Sequence, residues 1–111
     1  MMNALGIRRT NMKIWIDDCR PAPEGYYWCK SVNQAKRLLI DPHVQYTEKI
    51  ELIDIDHDAG EYASKGGDYI KLLDWLEETG RNYPIRIHSM NVVGRQNMEA
   101  ICRKNGWTIV N

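Results

Sequence analysis

This chain contains short hydrophobic runs, and each run stops at a cluster of polar residues. Between these runs lie segments whose apolar residues recur at helical spacing. The clearest run is Ile50–Ile55, and Asp56 follows it directly. Strands that alternate with helices favour a mainly parallel sheet with helices on both faces. The 111 residues suffice for one such domain but not for two. The sequence therefore predicts a single three-layer α/β domain.

The pattern divides the chain into five predicted strands and three predicted helices. The strands are expected at residues 12–16, 26–30, 50–55, 83–88 and 107–110. The helices follow the N-cap residues Ser31, Asp68 and Asn91 and end near residues 40, 78 and 104. Residues 43–49 are expected to form a connector. Residues 1–11 are predicted to be a disordered extension ahead of a domain that spans residues 12–111.

Composition limits the classes of partner. Fifteen basic and fifteen acidic residues cancel, so no broad surface for long nucleic acid is predicted. A short nucleotide or a nucleic-acid end needs only a local cluster. No apolar stretch approaches the roughly 20 residues that a membrane span requires, so no membrane partner is predicted. Three cysteines without CxxC spacing favour reduced thiols and a cytoplasmic protein.

The polar clusters are expected to meet, because ligands of parallel α/β sheets bind at the carboxyl ends of the strands. Asp17 and Asp18 follow the first strand, and Asp56 follows the third. Two neighbouring carboxylates repel each other unless a cation lies between them, and Mg²⁺ accepts such ligands. A solvated loop with ordinary caps is the alternative for Asp17 and Asp18. Capping does not explain Asp56, because the next predicted helix starts about ten residues later.

Two histidines and one helix start add further candidate groups. His57 is interpreted as a general acid or base, a metal ligand or a packed loop residue. His88 ends the fourth strand, where a structural histidine is the alternative. Asn91 opens a helix whose free N–H groups suit an anion, and Arg95 in its first turn suits phosphate. The alternative is that Asn91 only caps the helix and that Arg95 is solvated.

The motifs together resemble a known family. An acidic pair after strand one, an Asp after strand three and Ser89 after strand four are similar to the response-regulator receiver domain, which has a flavodoxin-like fold. Closer still is the divergent cyclic-phosphate processing receiver domain. Its motifs read here as Asp-Asp-x-Arg-x-x-Pro from Asp17, Asp-His-Asp-x-Gly from Asp56, and His-Ser-x-Asn-x-x-Gly-Arg-x-Asn-Met from His88.

The resemblance implies roles for these residues. Asp17, Asp18 and Asp56 would bind Mg²⁺ or Mn²⁺, and the backbone carbonyl of Asp58 would assist. Ser89 would be the phosphate-contacting hydroxyl. The family name implies work on cyclic or terminal phosphates of nucleotides or RNA. Two receiver features are missing from the sequence: a lysine after the last strand, and the first and last receiver helices.

Three functions fit this pattern. The favoured one is a metal-dependent phosphoesterase acting on a nucleotide or RNA-end phosphate, including a cyclic phosphodiester. In it, Asp56 belongs to the catalytic centre, and His57 or His88 exchanges a proton. Ser89, Asn91 and Arg95 bind the phosphate. The alternatives are a signalling receiver phosphorylated on Asp56 and a non-catalytic module that binds a nucleotide phosphate. The sequence does not indicate an oligomeric state.

Overall fold

The computed structural model describes residue 6 and residues 9–111. Four strands and four α-helices lie along these residues. The strands are β1 (Thr10–Ile16), β2 (Tyr26–Cys29), β3 (Glu48–Ile55) and β4 (Ile85–Ile87). The helices are α1 (Val32–Ile40), α2 (Pro42–Thr47), α3 (Ile70–Glu78) and α4 (Val92–Asn105). A single 3₁₀ turn, Gly60–Ser64, lies in the loop after β3.

All strands of the sheet are parallel, in the order β2-β1-β3-β4. This arrangement confirms the predicted receiver-like α/β class. The prediction of a fifth strand at 107–110 is wrong, because this segment makes only one bridge, between Ile85 and Ile109. Its neighbour β4 is three residues long and offers little edge for further pairing.

The two faces of the sheet carry different residues, because successive strand residues point to opposite sides. The covered face lies in the hydrophobic core and consists of Ile14, Ile16, Cys29, Ile53, Ile55, Ile85 and Ile87. The open face consists of the alternate residues Lys13, Trp15, Tyr26, Trp28, Lys49, Leu52, Asp54 and Arg86. No open-face residue belongs to the described core cluster, and even the buried Leu52 lies outside it.

The helices form one layer rather than the predicted two. The connections from β2 to β3 and from β3 to β4 both advance in the same direction across the sheet. Since such crossovers are right-handed, they place their helices on the same face. In agreement, α1 packs against α3, and α3 packs against α4. The segment 17–25 between β1 and β2 contains no helix, so it adds none to the open face.

Local capping explains where the helices begin. As predicted, the Ser31 hydroxyl accepts from the Gln34 N–H (3.1 Å), and the Asn91 side chain accepts from the Gly94 N–H (2.9 Å). The prediction for Asp68 is wrong, because its carboxylate accepts from the Ala59 N–H (3.0 Å) and α3 starts without a side-chain cap.

The prediction that residues 43–49 form a connector is also wrong. This segment contains α2 and the first residues of β3. Asp41 caps α2 by accepting from the N–H groups of His43 (2.8 Å) and Val44 (3.2 Å). Pro42 occupies the first helical position, where its missing N–H costs nothing.

The start of the chain is described only in part. β1 begins at Thr10, which pairs with Glu48, two residues ahead of the expected start of the domain. The rest of the predicted extension, apart from residues 6 and 9, lies outside the described residues. Within the described part of the chain, no helix has the length and apolar character that crossing a membrane requires.

Candidate metal and phosphate site

Three neighbouring strands end at the same edge of the sheet and bring Asp17, Asp56 and His88 together. Each is the first residue after its strand. The Asp56 N–H donates to the Ile16 carbonyl (2.9 Å), and the His88 N–H donates to the Ile55 carbonyl (2.9 Å). These two bonds extend the strand pairing by one residue, so the backbone itself holds the polar groups in place.

Asp17 is the buried centre of this edge. Its side chain is fully buried, and its Oδ1 accepts from the N–H groups of Cys19 (3.0 Å) and Arg20 (2.9 Å). Burial acts to raise its pKa, but the two backbone N–H groups, His88 and the Arg20 guanidinium outweigh burial and lower the pKa. Asp17 therefore remains ionised at neutral pH.

Arg20 bridges the two central carboxylates. Its Nε lies 3.2 Å from Asp17 Oδ2, and its Nη2 lies 3.4 Å from Asp56 Oδ2. The same Nη2 donates to the carbonyl of His88 (3.2 Å). The side chain is nevertheless 47% exposed. The two carboxylates thus share a cationic group that borders solvent.

His88 is clamped between two carboxylates and an indole ring. Its Nδ1 lies 2.6 Å from Asp54 Oδ1, and its Nε2 lies 3.0 Å from Asp17 Oδ2. Trp15 stacks on the imidazole, with centroids 3.8 Å apart and an interplanar angle of 4°. Both ring nitrogens therefore face carboxylate oxygens, and neither is free for another partner. His88 can exchange a proton with substrate only after one of these contacts breaks.

The donor set fits a hard divalent cation. Ligand atoms of Asp17, Asp56 and His88 lie within 4.8 Å of one another, as do those of Asp17, Asp18 and Cys19. Three carboxylates are typical ligands of Mg²⁺ and Mn²⁺. The Cys19 thiol suits these ions less well, since desolvation and the carboxylates of Asp18 and Asp17 raise its pKa.

A glycine allows the loop after β3 to approach Asp18. A Cβ atom at Gly60 would lie 2.4 Å from Asp18 Oδ2, and the backbone there has φ of +56°. Glycine satisfies both requirements because it has no side chain. The Asp-His-Asp-x-Gly motif thus contributes to the site through backbone shape as well as through its carboxylates.

His57, Asp58 and Asn91 form a second cluster beside the first. His57 Nδ1 lies 2.8 Å from Asp58 Oδ1, and Asn91 Nδ2 lies 3.4 Å from both of these atoms. The imidazole packs against the first turn of α4, where a Cβ on Gly94 would lie 2.5 Å from the ring. Asp56 joins the two clusters, because its Oδ1 accepts from the His57 N–H (2.8 Å).

Ser89 and Arg95, the other two predicted phosphate ligands, occupy different surroundings. Ser89 is buried, and its hydroxyl accepts from the Asn91 N–H (3.1 Å) at the entrance to α4. Arg95 pairs instead with Glu99, one turn along the helix (3.0 Å). Among the described contacts, none joins Arg95 to the carboxylates of the strand ends. The structure therefore brings together the predicted residues except Arg95.

The sequence assigned no role to Arg20 or Trp15 and indicated only a structural or supporting role for Asp54, although all three residues contact the site. Arg20 stands in the Asp-Asp-x-Arg-x-x-Pro motif, and this position was an available signal. Asp54 and Trp15 lie within strands and point to the open face. Alternation along β1 and β3 places them on the same side, but only the sheet order brings them to His88.

Comparison with known proteins supports the resemblance read from the motifs. Residues 12–104 match the family described as the cyclic-phosphate processing receiver domain, which confirms the predicted likeness. Neither the curated proteins nor the solved structures provide a significant match.

Proposed function

The chain belongs to the cyclic-phosphate processing receiver domain family, and from this premise we propose a phosphoesterase that depends on a divalent metal. Its substrate is a nucleotide or RNA-end phosphate, with a cyclic phosphodiester as the preferred class. The observation that carries the proposal is the convergence of Asp17, Asp56 and His88, whose ligand atoms lie within 4.8 Å of one another. A cytoplasmic location, where thiols stay reduced, agrees with three free cysteines.

The carboxylates supply the place for the cation. Asp17 and Asp56 already share one positive group, Arg20, and Asp18 lies beside them at the rim. These three residues would hold Mg²⁺ or Mn²⁺. Such an ion, when bound, polarises a phosphoryl oxygen and lowers the pKa of a coordinated water.

Arg20 and the start of α4 would bind the phosphate. The Arg20 guanidinium is half exposed, so it can turn from the carboxylates toward an anion and form two parallel hydrogen bonds. The free N–H groups of the first α4 turn and the Ser89 hydroxyl lie at the same edge. Arg95 would join them only after leaving Glu99.

His57 is better placed than His88 to transfer a proton. Its Nδ1 contacts the exposed Asp58, so this carboxylate can orient the ring toward a substrate. In contrast, both nitrogens of His88 are bound to buried carboxylates. His88 would act as a positioning residue that holds Asp17 in place.

Binding without turnover is the second candidate. The observation that favours it is the same double clamp on His88, which takes one of two possible acid–base groups out of reach. Signalling by phosphorylation is less favoured, because the Asp56 side chain that would accept the phosphoryl group is mostly buried.

A turnover assay tests the proposal. Purified protein is incubated with nucleoside cyclic phosphates, nucleoside monophosphates and phosphate-ended RNA, with Mg²⁺, Mn²⁺ or chelator. We expect hydrolysis that requires the metal and falls at least 100-fold in Asp56→Asn, because that change removes a charged ligand. Asp74→Asn on the exposed side of α3 is the matched control and should retain activity.

The outcomes separate the candidates. Ligand binding without hydrolysis under any metal would replace the phosphoesterase by the binding module. A stable phosphoryl adduct after incubation with acetyl phosphate, present in the wild type and lost in Asp56→Asn, would instead support the signalling receiver.

A further inference from the structure

The open face of the sheet presents aromatic rings where a buried sheet would present aliphatic side chains. Trp15 and Trp28 are register partners on β1 and β2, and Tyr26 lies one step along. All three rings are partly exposed. Tyr26 meets Trp15 edge-on, with centroids 6.0 Å apart. The rings therefore form a continuous patch that the helices do not cover.

Cationic side chains surround this patch. The ammonium groups of Lys13 and Lys30 lie over Tyr26 (5.5 Å) and Trp28 (4.5 Å). Lys49 and Arg86 are exposed on the same face. Among the described strand residues that pair in register, the only acidic one on this face is Asp54, which is buried and bound to His88. The chain as a whole is neutral, so this positive bias is local.

The patch continues into the acidic site without a break. Trp15 stacks on His88, and its indole N–H donates to the carbonyl of Arg20 (2.8 Å). The Trp28 indole N–H donates to the carbonyl of Asp17 (2.8 Å). If the phosphate of a ligand lies at the strand ends, the part of the ligand next to that phosphate would therefore lie beside these rings.

We propose that the open face binds the unpaired nucleotides that adjoin the phosphate, so that the substrate is the end of a single strand. The proposal rests on the function proposed above and names its substrate class. Aromatic side chains on an exposed sheet stack on about two or three bases. Lys13 and Lys30 have flexible side chains, so a base can replace each ammonium on its ring while that ammonium moves to a backbone phosphate.

Binding to short strands tests the proposal independently of catalysis. The probe is a fluorescently labelled tetranucleotide without a terminal phosphate, measured by anisotropy with chelator present, and a mononucleotide serves as the comparison. The tetranucleotide should bind at least five-fold more tightly. Trp28→Leu should remove this gain, and Lys30→Gln should weaken binding and reduce its salt dependence.

Lys36→Gln is the matched control. Lys36 also places its ammonium over a tryptophan, Trp75 at 5.8 Å, but on the side of the helices. This variant should bind the tetranucleotide as the wild type does. Lys30→Gln leaves every ring in place, so it tests the proposal even if Trp28→Leu does not fold.

The results distinguish this inference from the proposed function. Equal affinity for mononucleotide and tetranucleotide, or equal binding by the Lys30 and Lys36 variants, would overturn the inference while hydrolysis of small substrates could persist. Self-association that Trp28→Leu abolishes, without binding of the strand, would also overturn it and assign the face to a second copy. Binding of the strand that depends on Lys30, without any turnover, would support it and refute the phosphoesterase.

Discussion

The covered face and the open face of the sheet are built from alternate residues of the same strands but differ in chemistry. The covered face is almost entirely isoleucine and lies against helices. The open face combines aromatic, cationic and carboxylate groups that form hydrogen bonds and ion pairs. Since the helices already bury one face, the other can carry charged groups next to the strand ends. We therefore expect the covered face to determine stability and the open face to determine binding.

The largest change in the free energy of unfolding should come from the covered face, as a comparison of two neighbouring residues of β3 would show. Ile53→Ala removes a fully buried core side chain and should lower the free energy of unfolding by about 3–4 kcal/mol. Leu52→Ala, on the open face and outside the core cluster, should cost about 1–2 kcal/mol. Urea unfolding measures both variants. Equal losses would show that the two faces contribute alike to stability.

Removing the clamped histidine should have the next largest effect. His88→Ala removes the imidazole that contacts the buried carboxylates of Asp54 and Asp17 and should cost about 2 kcal/mol. Arg20 and Arg86 remain near these carboxylates and limit the loss. Urea unfolding would again report it.

The matched control for that variant is His43→Ala, which changes an exposed histidine on α2. It should alter the free energy of unfolding by less than about 0.5 kcal/mol. If His88→Ala and His43→Ala change the free energy of unfolding equally, His88 does not stabilise the buried carboxylates.

The dependence of the free energy of unfolding on pH should show how much Asp17 contributes to stability. Its pKa is lower in the folded protein than its ordinary value of 3.8, so the unfolded chain binds more protons in acid. The stability that Asp17 contributes is complete above that ordinary value and disappears as the pH falls through the folded pKa. The difference in unfolding free energy between wild type and Asp17→Asn should therefore shrink on acidification.

Glu77 offers a control for this titration. Its side-chain hydrogen bond with Asn105, helped by Lys104, also lowers its pKa, but this carboxylate lies among surface groups. Glu77→Gln should change the slope of stability against pH less than Asp17→Asn does. A larger change from Glu77 would contradict the central position assigned to Asp17.

Among the variants that change the site itself, the smallest effect on stability is expected for Gly94→Ala. Alanine favours the helix by about 1 kcal/mol, which offsets the displacement of His57 that its Cβ would impose. The free energy of unfolding should stay within about 1 kcal/mol of the wild type. The NMR signals of the His57 ring should nevertheless shift, and turnover should fall. Gln96→Ala, exposed on the same helix, should leave both unchanged.

Local signals predicted the elements whose boundaries depend on neighbours in sequence. Ser31 and Asn91 cap their helices because each side chain accepts a hydrogen bond from an N–H group only three residues along the chain. The same kind of signal exists for α2, where Asp41 caps the helix and Pro42 opens it, but the predicted connector at 43–49 took no account of it. Arg95 and Glu99 stand four residues apart, a spacing that favours their ion pair over a phosphate contact.

The family and the set of polar residues at the strand ends follow from the sequence alone, because a motif places each group directly after a hydrophobic run. Tertiary structure decided which of these groups touch. The order of the strands sets Asp54 and Trp15 beside His88, and the fold of the loop after β1 brings Arg20 between Asp17 and Asp56. Such contacts join residues up to 71 positions apart. Local spacing cannot encode them, because they depend on the handedness and order in which the strands assemble.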